Sequence, residues 1–169
     1  MKKNVWISIV MLLVVVISGY FIFTKIGVNN QQVDYTFYNE TKTKLISQNT
    51  YSDDFLYCDV EVLLKVVDSK YEVSVIIGNA TEKMEDIDIL VISASLSAIS
   101  SDDIFPSIGL LNDNSYNLVP SSYEKGTNDK TSYILNYVSE DSISEVMIYF
   151  SYKMNDTRYI EYVKKAAKI

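Results

Sequence analysis

From Phe55 onward, apolar side chains recur at every second position, and that period limits what the chain can fold into. In residues 59–66 the even positions Val60, Val62, Leu64 and Val66 are apolar, while most odd positions are polar. Successive side chains of a strand point to opposite faces, so this alternation sets one face on a core and the other in water. Tyr71, Val73, Val75 and Ile77 repeat the pattern beyond Asp68-Ser69-Lys70, which reads as the turn of a β-hairpin. Residues 87–94 begin with the same alternation and become apolar on both sides, as a central strand does.

Weaker segments follow. Residues 104–111 read as a strand broken by Pro106, which has no N–H for a ladder and marks an edge or a bend. Residues 116–119 are halted by Pro120, after a turn cluster at Asn112-Asp113-Asn114-Ser115. Residues 131–138 place Tyr133, Leu135 and Tyr137 on one face and Ile134 on the other. Val146, Ile148, Phe150 and Tyr152 alternate in the next strand. Asn155-Asp156-Thr157 turns the chain into a last strand at 158–163, and 164–169 read as a charged tail or frayed helix. Seven or eight short strands without a long amphipathic helix describe an all-β fold, an antiparallel β-sandwich, with a small barrel as the other arrangement of the same pattern. The expected core is Val62, Leu64, Val73, Val75, Ile89, Val91, Leu135, Ile148 and Phe150.

The N-terminus has a different character. Residues 5–23 are uncharged and mostly apolar, behind Lys2 and Lys3. As a helix this run spans roughly 28 Å, close to the hydrocarbon thickness of a bilayer. Trp6 and Tyr20 sit near its two ends, where amphipathic rings favour the interface. The leading lysines put the N-terminus in the cytoplasm. A cleaved signal peptide is the competing reading, with Ile17-Ser18-Gly19 as its cleavage site. The apolar run continues through Phe21, Ile22 and Phe23 to Lys25, which favours a retained single-pass anchor. Lipidation would need a cysteine just after the run, whereas the one cysteine is Cys58. Residues 1–29 are thus expected to be a transmembrane signal-anchor in contact with the lipid bilayer through 5–23. Residues 30–54 are expected to be a linker, with a short first strand or a stalk near 33–39 and a helical turn or loop near 41–50. Residues 55–169 are expected to be the extracytoplasmic β-sandwich.

Charge divides along the same line. Residues 31–169 carry 12 basic and 22 acidic side chains, a net charge of −10. An acidic domain disfavours nucleic acid and anionic headgroups as partners, and serves solubility. Histidine is absent, which removes the usual general base and the usual metal ligand. Cys58, on the Val60 face, is expected to be a buried small hydrophobe without a base to activate it. No glycine-rich phosphate loop is present. Oxygen-rich turns at Ser101-Asp102-Asp103, Asn112-Asp113-Asn114 and Asn128-Asp129 are the places where a metal, calcium, could be held, with Asp102, Asp103 and Asp113 as the candidate ligands. None follows a known loop spacing, and plain turn chemistry is the preferred reading.

Residues 71–163, a little over half the chain, resemble immunoglobulin-like domains of unknown function in membrane-anchored or lipid-anchored proteins of Gram-positive bacteria. The stretches that carry the resemblance are Tyr71-Glu72-Val73-Ser74-Val75-Ile76-Ile77-Gly78-Asn79-Ala80-Thr81, Ile87-Asp88-Ile89, Tyr133-Ile134-Leu135-Asn136-Tyr137-Val138 and Val146-Met147-Ile148-Tyr149-Phe150. Of the glycines and prolines that usually precede the penultimate strand, Gly126 alone remains. The resemblance implies a fold and a location and carries over no functional residues. Anchor, strands and missing catalytic groups together lead to the expectation of a non-enzymatic module, without cofactor, that binds another envelope or membrane protein or helps assemble a membrane complex. A ligand- or ion-binding sensing subunit that uses the acidic loops and surface tyrosines is the alternative.

Overall fold

The computed structural model describes residues 35–93, 99, 103–124 and 126–168. The apolar run 5–23 expected to be the membrane anchor lies outside the described residues. Among the described residues no helix is long and apolar enough to cross a membrane.

The alternating segments form two antiparallel sheets. Strands β1 (Asp59–Val67) and β2 (Lys70–Gly78) pair along their whole length, with Val67 opposite Lys70 across a two-residue turn. Asp68 and Ser69 have φ of 48° and 64°. Positive φ at both central residues twists the turn in the sense of the flanking strands, and Asp tolerates that conformation better than most residues. β2 also pairs with β7 (Ser132–Ser139), which completes a three-stranded sheet in the order β1-β2-β7. The second sheet has the order β4-β3-β8-β9: β3 is Glu85–Ser93, β4 Ser107–Ile108, β8 Glu145–Met154 and β9 Thr157–Ala166. A like two-residue turn, Asn155 and Asp156 at φ 49° and 62°, joins β8 to β9. Two further strands, β5 (Asn117–Leu118) and β6 (Asp129–Lys130), form a short parallel pair apart from the two antiparallel sheets.

One face of each sheet meets the other in a single apolar cluster. Val62, Val75, Ile77 and Leu135 from the first sheet and Ile87, Ile89, Val91, Ile148, Phe150 and Val163 from the second belong to it. All nine residues expected in the core are buried. Cys58 is buried in the same cluster, on the Val60 side as expected. Phe55 enters it with its ring 4.8 Å from that of Phe150.

The second sheet is also covered on its outer face, which explains why β3 and β8 are apolar on both sides. Leu90, Ile92, Met147 and Tyr149 point away from the first cluster into a second one, closed by Tyr38, Leu45 and Leu110. Tyr38 and Leu45 lie on helix α1, Thr36–Ile46. The linker or first strand expected around 33–39 is therefore corrected: from Thr36 the chain is helical. Its signals are poor, with no side-chain cap, no acid in the first turn and the β-branched Thr36, Thr41 and Thr43. Docking holds it instead. Tyr38, Thr41, Lys42 and Leu45, spaced for one helix face, are all buried. The Phe105 N–H donates to the Tyr38 hydroxyl at 2.6 Å, and the Lys42 amine donates to the Asp103 carbonyl at 2.9 Å.

Two other expectations change. The strand expected over 104–111 shrinks to Ser107–Ile108, with Pro106 beside it at the sheet edge. The charged tail is not a frayed helix, because β9 continues to Ala166 and Lys168 then bonds to the other sheet. The Leu64 N–H donates to the Lys168 carbonyl at 2.7 Å, and the Lys168 N–H to the Val62 carbonyl at 2.9 Å. Ser52 pairs reciprocally with the edge of β9, through Tyr162 and Lys164. The edges of β1 and β9 are thus both paired on this side, which blunts them as templates for another strand.

Candidate binding cleft

A cleft of 780 Å³ opens where four stretches of chain meet: Tyr57, residues 81–85, residues 120–123 and the end of the β8–β9 hairpin. Its lining includes Tyr57, Lys83, Pro120, Tyr123, Lys153 and Asn155. Each wall is held by the fold. The Tyr57 carbonyl accepts the Thr81 N–H at 2.9 Å and the Thr81 hydroxyl at 3.2 Å. The Tyr57 ring packs edge-on against Tyr152 and Tyr159, both at 6.5 Å between centroids, and those two stack on each other at 5.4 Å. Tyr152 is fully buried, and its hydroxyl donates to Glu161 at 2.6 Å. Burial, then the carboxylate beside it, push that phenol far above its usual range. Tyr123 is fixed by a turn in which its N–H donates to the Pro120 carbonyl at 2.9 Å, and the residue is 47% exposed. The Lys83 amine lies 2.6 Å from Glu85 and 5.8 Å from the centre of the Tyr123 ring.

An ion-pair cluster braces one side of the cleft. The ladder between β3 and β8 is irregular between Glu85 and Asp88, where Asp86 takes φ 48°. That bulge presents the Asp86 carboxylate to Lys153 and to the Ser115 hydroxyl, both at 2.7 Å. Arg158, the only arginine in the sequence, donates to the Asp86 carbonyl at 2.7 Å and pairs with the Asp88 carboxylate. Lys153, then Ser115, hold the Asp86 carboxyl below its ordinary value. Burial raises that of Asp88 despite the guanidinium. Gly109, at φ 80°, crosses directly over this pair. A Cβ there would meet the Asp88 carboxylate and, at 2.5 Å, the Ile87 carbonyl. These charges are matched to one another, so the cluster locks the β8–β9 hairpin to the bulge and offers no unpaired base.

The calcium candidates fall elsewhere. Asp102 lies outside the described residues. Asp103 sits beside helix α1, its carbonyl bound by Lys42, and borders a small depression with Phe105, Pro106 and Tyr137. Asp113 is exposed in the turn before β5, where the Asn112 side chain accepts the Asn114 N–H at 3.1 Å, the bond of an Asx turn. Among the described residues no three His, Cys, Asp or Glu side chains gather as metal ligands would. Cys58 is 6% exposed, and burial, with Glu161 and Asp59 nearby, pushes its thiol up to about 12. Such a thiol carries almost no thiolate near neutral pH.

The cleft residues were not singled out by the sequence pattern. The chain holds 14 tyrosines, the one sequence signal that points their way, and half-buried sheet packing accounts for most of the described ones. What assembles Tyr57, Lys83, Tyr123 and Lys153 is the topology, which brings together positions up to about a hundred residues apart. Compared with protein-family models, with curated proteins and with solved structures, the chain matches none.

Proposed function

We propose that this chain is a non-catalytic binding module: an immunoglobulin-like β-sandwich held outside the cell membrane by residues 5–23, with the N-terminus in the cytoplasm, that docks on another protein of the same membrane or envelope. The observation that carries the reading is the asymmetry of the two outer faces. Helix α1 and Leu110 cover the outer face of β4-β3-β8-β9. The outer face of β1-β2-β7 instead displays Leu63, Ile134 and Val138 at 40%, 57% and 60% exposure. Ile134 stands directly across from Ile76, and Leu63 lies diagonal to Ile76, so these three side chains form a patch, with Val138 two rows on, across from Glu72. Lys65 and Glu72 pair across the strands beside it, which gives the patch a polar border of mixed sign. The buried thiol, the paired carboxylates and the lack of histidine support the non-catalytic part of the reading. A photoreactive residue at position 134, activated in intact membranes, should give one discrete adduct. The same residue at Asn39, on helix α1, should give none. Equal adducts at both positions, or none at 134, would contradict the proposal.

A second reading, ligand capture, is favoured by one specific feature: a concave cleft whose lining includes two tyrosines.

A further inference from the structure

We infer that the cleft lined by Tyr57 and Tyr123 binds a segment of neutral glycan. This inference rests on the ligand-capture reading and names the ligand class. A pyranose ring presents apolar C–H groups on its faces and hydroxyls around its edge. The groups that suit it are aromatic rings for the faces and short polar side chains for the edge, each hydroxyl both donating and accepting. The cleft offers both, with Tyr57 and Tyr123 as rings and Thr81, Glu82, Asn155 and Asp156 as polar edge groups. Its 780 Å³ falls within the range of small-molecule sites, about 300–1,000 Å³.

Charge narrows the choice. Lys83 is paired with Glu85 at 2.6 Å and Lys153 with Asp86 at 2.7 Å, so neither cation is left to hold a phosphate or a carboxylate. Glu82 and Asp156 add negative charge to the lining, which repels polyanions. An uncharged, hydroxyl-rich chain meets no such repulsion, and the two rings with their polar edge groups suit it better than the cationic peptide that the same carboxylates would also admit. Rigidity helps as well. Tyr57 is braced by two other rings and two hydrogen bonds, Tyr123 by a turn, and the far rim by the two-residue turn at Asn155 and Asp156. Walls already in place avoid the entropy cost of ordering them on binding.

The test uses the full chain in detergent micelles and saturation-transfer NMR. The probe is a β-1,4-linked tetramer of N-acetylglucosamine, with a tetralysine peptide as the contrasting probe. Saturation should appear on the ring protons of the tetramer. Tyr123→Ala should weaken its binding about tenfold, the scale of a lost anchor residue. Tyr123 is exposed and at a loop, so this variant keeps its fold, which an unchanged melting temperature checks. Tyr35→Ala, exposed on another part of the surface, should bind as the parent does. Tetramer binding unaffected by Tyr123→Ala would overturn the assignment to this cleft. Binding of tetralysine, sensitive to Tyr123→Ala, in place of the tetramer would overturn the glycan inference and leave ligand capture standing. Binding of neither probe would overturn both.

Discussion

Ile148 and Ile134 have the same side chain and opposite surroundings, so truncating each to alanine tests the assignment of faces. Ile148 lies mid-strand in β8, opposite Val91 of β3 and Val163 of β9, and is fully buried in the cluster shared by the two sheets. Ile148→Ala removes three carbons. At about 0.8 kcal/mol each for transfer from water, the loss is roughly 2.4 kcal/mol. A remaining cavity adds about 24 cal/mol per Å³, so a void of roughly 50 Å³ adds about 1.2 kcal/mol. The expected cost is about 3–4 kcal/mol. Ile134 is 57% exposed on the outer face of β7, and Ile134→Ala should change stability by less than about 0.5 kcal/mol. Denaturant unfolding of the full chain, followed by far-UV circular dichroism, reads both. The midpoint should fall for Ile148→Ala at unchanged slope and stay in place for Ile134→Ala. Equal shifts for the two variants would mean that the inward and outward faces have been confused, since a slip of one residue exchanges them.

Three further outcomes follow from single residues. Cys58 should resist maleimide in the folded chain and react once the chain is unfolded. Its folded pKa, about 12, lies above the unfolded value near 9, so its stabilising effect is complete below pH 9 and lost as pH rises toward 12. The unfolding midpoint should therefore fall across that window, and less so in Cys58→Ala. Arg158→Met leaves the Asp88 carboxylate half-buried without its partner and should cost about 2 kcal/mol at pH 7. Protonation of Asp88 should shrink that cost at pH 4, and Asp88→Asn in the same chain should recover much of it. Thermal unfolding recorded in chelator and then in millimolar calcium should not differ. A shift of several degrees abolished by Asp113→Ala would establish the turn as a calcium site.

The fold was legible wherever one face is buried and one wet. In β1 the alternation of Val60, Val62 and Leu64 with Asp59, Glu61 and Lys65 marks the inward face directly. The turns at Asp68-Ser69 and Asn155-Asp156 use residues that tolerate positive φ. Where both faces are buried the signal weakens, as from Ile89 to Ile92: an apolar run says that something covers the strand and not what. The cover is helix α1, which has neither cap nor strong propensity and exists because Tyr38 and Leu45 find Leu90, Ile92 and Met147. Lys164, Lys165 and Lys168 look like a solvated tail, but charge is also what an edge strand carries, and β9 is one. The cleft was illegible for a different reason. Tyr57 and Lys153 become neighbours only when the segment before β1 in one sheet meets the β8–β9 hairpin of the other, and no local pattern records that meeting.

The docking claim is tested most directly by thiol labelling, because buried Cys58 contributes no background. Ile134→Cys and Asn39→Cys would each be treated with a membrane-impermeant, bulky maleimide, once on intact protoplasts and once on the purified full chain. The account predicts that Asn39→Cys reacts equally in both settings, and that Ile134→Cys reacts on the purified chain and is shielded on protoplasts. Equal labelling of Ile134→Cys in both settings would contradict the claim that the open face of β1-β2-β7 is covered by a partner.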